Sequence, residues 1–397
     1  MATLLTLDQY TTDWLNLLTH WLHVIAAIAW IGSSFYFIAL DNHLRPPRDA
    51  EEGVGGESWE IHGGGFYRIH KYKVAPEELP EPLHWFKWEA YTTWLSGFTL
   101  LVILYYFHAD TYLIDKSIAD LSVWEAIVIS IGLLVTAWLV YDGLCRVLGS
   151  RQLVLAAVLL VLITLAAWGI SHLFSGRATY IQVGAMIGTM MVGNVFFVII
   201  PAHRELVRAK EAGREPDPVW NERAKLRSVH NNYLTLPVVF TMLSNHFPFT
   251  YGHSYSWLIL VVLLVIGAWV RHFFNLRHTG RTVWAIPVSA AIAIAVLAIL
   301  IRPQSESTAG TAPVPFATVK GIIDQRCTAC HSQHPTLVSE APLGLSLDTP
   351  QEIQRYAPDV KGMAVDSTAM PLGNVTKMTK EERRLLGRWI DQGARIP

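Results

Sequence analysis

Apolar residues gather in eight stretches, beginning near Trp14, Trp85, Val123, Gln152, Ala178, Val229, Tyr255 and Val283. Each approaches the roughly 20 residues a helix needs to cross a bilayer. The pattern therefore predicts an all-α fold in which residues 1–302 form a polytopic membrane helix bundle of about eight transmembrane helices. The stretches at Tyr255 and Val283 are uninterrupted, whereas those at Trp85 and Val229 contain Glu89 and the pair Asn231 and Asn232, which leaves seven or nine helices open. The first stretch lacks a basic segment before it and a small-residue cleavage site before Asp41, so it is expected to stay as a helix and not to be removed as a signal.

The pattern changes at residues 303–315 (PQSESTAGTAPVP), whose Pro, Ser, Thr and Gly carry no apolar period, as in a solvated linker. A second domain is expected over 316–397. About 80 residues is small for a single core, and a covalently held cofactor would supply part of one.

Composition fits this division. The chain is 52% hydrophobic and 16% charged, against about 25% charged in soluble proteins. A net charge of -1 gives no basic excess and sets nucleic acid aside as a partner. Lys and Arg are divided unevenly: seventeen fall in the first, third, fifth and seventh loops, against Lys116, Arg177 and Arg302 in the others. The rich side faces the cytoplasm, so both termini and the C-terminal domain are expected outside, in the periplasm of a bacterial inner membrane.

Three cysteines cannot build a disulfide framework, but two stand in Cys327-Thr328-Ala329-Cys330-His331 after a helical period of Phe316, Val319, Ile322 and Ile323. Thiols two residues apart reach the two vinyl groups on one haem edge, and the adjacent His331 then falls beneath the iron. The alternative is a zinc site of Cys327, Cys330, His331 and His334, although zinc ligands normally come from two separated pairs. A thioether is the expected sixth ligand, from Met363, Met370 or Met378. Met370 is preferred because Pro371 stiffens its loop, whereas Met378 directly precedes a capping box, Thr379 to Glu382, and suits a core position. A closing helix then packs Leu385, Leu386, Trp389 and Ile390 on the haem side. The order resembles a class I cytochrome c carrying one haem c, with iron held by His331 and Met370.

Ionisable residues inside a membrane are functional candidates. Under the predicted topology His20, His23, His108, His172, His246 and His253 lie near the outer face, and His84, His203, His230, His272 and His278 near the inner one. His20 and His23 share one face of the first helix, and His23 is the first candidate to ligate a b-type haem in the membrane domain. In loop one, Gly63-Gly64-Gly65 is expected to let the backbone approach a ligand, beside Tyr67, Arg68, His70, Lys71 and Lys73, or else to touch lipid headgroups. Glu89, in WFKWEAYTTW, must be paired, protonated or catalytic. Asp142 and Asn194 are weaker cases of the same kind.

Three segments, WLHVIAAIAWIGSSFYFIALDNHL, HGGGFYRIHKYKVAP and LHWFKWEAYTTWLSGF, together with the C-terminal pattern, resemble the membrane-bound urate oxidase (urate hydroxylase) family, over essentially the whole chain. The resemblance implies oxidation of urate to 5-hydroxyisourate in purine degradation, with electrons leaving through the cytochrome domain to a respiratory-chain acceptor and no hydrogen peroxide formed. Urate is planar and anionic, so its site needs an aromatic face, a cation and a general base. Loop one with Glu89, His84 and Arg68 offers these at the cytoplasmic side. The distance from there to an outer haem c is a second reason to expect intramembrane haem. Competing readings are a dehydrogenase of quinol or another donor, or an electron-relay subunit ending in a cytochrome c.

Overall fold

The computed structural model describes residues 9–49, 52–302 and 312–397. Most of the predicted linker, 303–311, lies outside the described residues. The first unit contains α1 (Gln9–His43), β1 (Val54–His62), β2 (Gly65–Tyr72), α2 (Trp88–Leu101), α3 (Val123–Leu148), α4 (Gln152–Ile170), α5 (Gly176–Gly193), α6 (Ile200–Glu211), α7 (Pro218–Leu243), α8 (Pro248–Tyr251), α9 (Ser256–His278) and α10 (Ala285–Leu300). The second contains α11 (Phe316–Arg326), α12 (Pro350–Arg355), α13 (Ala357–Val360) and α14 (Lys380–Asp391).

All eight predicted stretches fall within helices. Five segments are long and apolar enough to cross a membrane: Tyr10–His43, Val123–Leu148, Gln152–Ile170, Gly176–Glu211 and Ser256–His278. The other three differ for visible reasons. α2 gives way to π-helical turns at Val102–Tyr106 and Ala109–Leu113, α10 has only 16 residues, and the first half of α7 bears Glu222, Arg223, Lys225 and Arg227. α7 starts well before the predicted Val229 because the Asp217 carboxylate accepts from Val219 N at 2.9 Å and Pro218 occupies the first turn, a strong helix start. Similarly, α5 continues through a π turn at Asn194–Ile199 into α6, so Arg204, Arg208 and Lys210 sit on a helix and not in a loop.

Outward faces of α1 and α4 leave Leu18, Trp21, Ile25 and Leu153 exposed, which is compatible with a membrane protein. Inside, polar residues are paired. Arg227, 5% exposed, donates to Asp142 (2.6 Å) and to the Asn194 side-chain oxygen (3.1 Å). Asn194 in turn donates to Tyr141 Oη (2.9 Å) and Asn231 Oδ1 (2.8 Å). Asp142 and Asn194 thus tie α3, the turn after α5 and α7 together, the cross-helix pairing that a polar residue among apolar helices requires.

The expectation of an all-α fold is corrected at one place. Loop one holds an antiparallel hairpin, with Val54 opposite Tyr72 and His62 opposite Gly65. Gly63 and Gly64, at φ +57° and +83°, form its two-residue turn, which requires left-handed backbone at both positions. No atom lies within 4 Å of where a side chain on either would begin, so these glycines answer to the backbone of the turn and not to crowding by neighbouring residues.

The second unit has its own core of Val319, Ile323, Leu347, Ile353, Leu386 and Trp389, all at most 2% exposed. α14 begins with the expected reciprocal cap: Thr379 N donates to Glu382 Oε2 at 2.7 Å and Glu382 N to Thr379 Oγ1 at 3.2 Å. Such a cap is worth about 1 kcal/mol. Arg326 at the end of α11 reaches Glu382 at 2.9 Å, and the Phe316 ring packs 5.9 Å from Trp389, so both ends of α11 are fastened to α14.

Candidate functional site

α1 and α2 converge where the hairpin meets α6 and α7, and there they line an open cavity of about 410 Å³. That size belongs to small-molecule sites. Its walls alternate aromatic surface (Trp30, Phe37, Trp85, Phe86) with polar groups (Lys71, His84, Glu89, His203, Lys225). Glu89 occupies the first turn of α2, where the helix dipole favours a carboxylate, and makes no ion pair among the described residues. His84 stands edge-on to Phe86 at 4.7 Å, and Phe86 edge-on to Phe37 at 4.8 Å. Lys71 reaches down from β2 to Asp41 at the end of α1 (2.5 Å), and Lys225 of α7 lies 3.9 Å from the same carboxylate. Asn231, on the cavity wall, connects it to the buried Arg227–Asp142 network through Asn194.

The structure thus brings Glu89 and His84 together but leaves Arg68 out. Arg68 stays on the hairpin, paired with Glu57 at 3.0 Å. Burial pushes the Glu57 carboxyl up, yet the hydrogen bond from Arg68, the Arg48 N–H and the Arg68 charge together hold it below its ordinary value. A second cavity, about 720 Å³, opens on the hairpin side of α1 beside Glu57, Arg45 and Arg48, where the Glu57 carboxylate is held by Arg68 and the Arg48 backbone N–H and the Arg45 guanidinium by Leu44 O. Sequence reading missed Asp41, Lys225, Asn221 and His203 as cavity residues. An acid closing a long apolar helix was the one available signal for Asp41.

His23 donates from Nδ1 to Thr93 O at 3.0 Å, with Ser96 Oγ also 3.0 Å from that nitrogen, and its ring fills the notch left by Gly97 of α2. One ring nitrogen is therefore used in holding α1 to α2. His20 bonds only its own helix, at Asn16 O.

In the second unit, Cys327 and Cys330 lie on one helical turn continuing from α11, with Cys327 N bonded to Ile323 O and His331 N to Cys327 O, each at 2.8 Å. Both thiols and the imidazole are half-buried. His331 Nδ1 lies 3.3 Å from Leu345 O, and burial keeps the imidazole below its ordinary pKa, partly offset by that carbonyl. A ring held so presents a neutral Nε2, the form a metal takes. Met370 borders the same core, and its loop is held by Arg383, which donates to Met370 O at 2.6 Å. Met378 is 3% exposed in the core, the filling role expected of it. Among the described residues, no group of three or more His, Cys, Asp or Glu is placed to hold a metal ion by itself. Cys327, Cys330 and His331 are the donors that a porphyrin with two thioether links and one imidazole would use.

The family model described as urate oxidase N-terminal matches residues 9–302, which contain the whole cavity. No curated protein and no solved structure matches the chain.

Proposed function

The chain belongs to the urate oxidase N-terminal family, and we propose that the cavity at Glu89 and His84 is where it oxidises urate to 5-hydroxyisourate. Membership by itself makes the chain an oxidoreductase of urate and purine metabolism. The observation that carries the finer reading is the convergence on one small cavity of Glu89, which forms no ion pair among the described residues, two imidazoles, two ammonium groups that share Asp41, and four aromatic rings. Urate and water give 5-hydroxyisourate with release of two protons and two electrons. In this reading, the rings of Trp30, Trp85 and Phe86 take the purine face, and Lys71 and Lys225 meet its negative charge. Glu89 accepts a proton from the water that attacks C5, and His84 takes the second. Arg68 acts through the hairpin that carries Lys71 and not on substrate.

The same proposal assigns Cys327 and Cys330 to the covalent attachment of haem c, His331 and Met370 to its iron, and His23 to a b-type haem in the bundle. Haem c, when bound, supplies a one-electron acceptor that makes peroxide formation unnecessary, and a respiratory-chain partner would drain it. The chain then sits in the bacterial inner membrane with about eight crossings and the C-terminal domain in the periplasm. Apolar outward faces and five helices of sufficient length support the membrane part.

The test is anaerobic addition of urate to the purified oxidised protein while recording its visible spectrum. Rapid reduction of a c-type band with appearance of 5-hydroxyisourate is expected, and Glu89→Gln should abolish it while haem c stays attached. No reduction, in protein that dithionite still reduces, overturns the proposal in favour of a relay subunit or a quinol donor. A pyridine haemochrome containing only c-type haem would remove the assignment of His23.

A further inference from the structure

The loop that carries Met370 is also the part of the second unit that touches the first. Thr368 Oγ1 donates to Gly252 O at 3.0 Å, and Ala369 packs against the apolar core of the bundle. A methyl group on Gly252 would fall 1.4 Å from Ser367 O; within its own unit the nearest atom is Pro248 O, at 2.9 Å. Gly252 has φ -85°, open to any residue, so the approach of Ser367 O to 1.4 Å, far closer than that of Pro248 O, is the main reason there is no room for a side chain. Gly373, whose φ of +56° already favours glycine, fits closely too: a methyl there would meet the carbonyl oxygens of Ile114 and Thr111 at 2.9 Å and of Asp110 at 3.1 Å. These oxygens belong to the π turn Ala109–Leu113 and the residue after it. Behind the loop, Arg383 ties Met370 O and Ala364 O together, and the Asp115 carboxylate, from the first unit, acts on the Arg383 charge across the boundary.

This contact lies at the far end of α2 from the cavity. Glu89 opens α2, and its helix with the first π turn runs to Tyr106, just before the docking turn. At about 1.5 Å per residue that is roughly 27 Å. We propose that the turn Ala109–Leu113 and the loop around Gly252 form a fixed cradle for the Met370 loop, and that electrons from the bundle enter the C-terminal unit through this face. The second clause rests on the reading of Met370 as a haem ligand; the first does not.

Hydrogen exchange on the intact, haem-loaded protein tests it without substrate. Amides of 109–114 and 367–374 should exchange slowly in the wild type and at least tenfold faster in Gly252→Ala, with α14 unchanged. Thr368→Val, which removes the bond to Gly252 O without adding bulk at the glycine, should loosen the same two segments if Gly252→Ala expresses poorly. Fast exchange of both segments in the wild type, or equal exchange in wild type and variants, overturns the cradle. For electron entry, Gly252→Ala should slow reduction of haem c by urate at least tenfold and leave reduction by dithionite unchanged. An unchanged urate rate in an undocked variant overturns that clause. A wild type that urate does not reduce contradicts the urate reading, while the exchange data still decide the docking.

Discussion

Lys71, in the second strand of the hairpin, places its ammonium 2.5 Å from the carboxylate of Asp41 at the end of α1. The pair joins the bonds from Tyr36 Oη to Glu60 (2.8 Å) and from Asn221 Nδ2 to Lys73 O (3.1 Å) in fastening the hairpin beside the cavity. Because Lys71 is more than a third exposed, the pair adds little stability, under about 1 kcal/mol. Its value lies in position, and Lys71→Met is expected to raise the KM for urate about tenfold with little change in Tm. Steady-state kinetics beside a thermal melt separate these effects, and a large loss of Tm at unchanged KM would count against a substrate role for Lys71.

Arg68 and Glu57 make the opposite case. Glu57 is 4% exposed, so Arg68→Ala leaves its carboxylate short of its main partner and should loosen the hairpin. Urate turnover should fall because Lys71 loses its support, and Arg68→Lys should restore part of it. Exchange of the hairpin amides reports the structural loss directly; normal protection with abolished turnover would return Arg68 to the substrate.

The Glu57 carboxyl also predicts a pH dependence. Its folded pKa lies below the ordinary 4.5, so the stability it gives is present above that value and is lost as pH falls through the folded one. Hairpin protection should be flat from pH 7 to about 5 and decline below 4.5. In Glu57→Gln the acid decline should be absent.

Asp142→Asn tests the buried network. It strands the Arg227 guanidinium among apolar helices, and breaking such a pair costs about 3–5 kcal/mol. A marked drop in the inactivation temperature of the detergent-solubilised protein is expected, together with weaker urate binding through Asn194 and Asn231. An inactivation temperature equal to wild type would mean that water compensates Arg227.

Replacing both Cys327 and Cys330 by Ala should abolish haem that survives denaturing electrophoresis, while the urate cavity, in the other unit, keeps its affinity for urate in a binding assay. Retained covalent haem would refute the attachment site.

Much of this molecule is determined by local sequence. Twenty-odd apolar residues can only become a buried or lipid-facing helix, so the helical stretches were legible wherever charge did not interrupt them. The Cys327–His331 spacing and the Thr379–Glu382 cap are equally local, since each concerns residues within one or two helical turns. The triglycine carries two meanings, a hairpin turn and a place where a ligand can approach, and the pairing of His62 with Gly65 shows the turn. What the tertiary structure alone decided is which polar groups meet. Asp41, Lys71, Glu89, His203 and Lys225 come from five elements far apart in sequence and form one cavity because α1, α2, α6 and α7 cross there. Arg68, three residues from Lys71, is left outside by strand geometry and claimed by Glu57 across the hairpin. The seat of the Met370 loop on Gly252 is of the same kind, since no periodicity within either segment encodes the shape of the other.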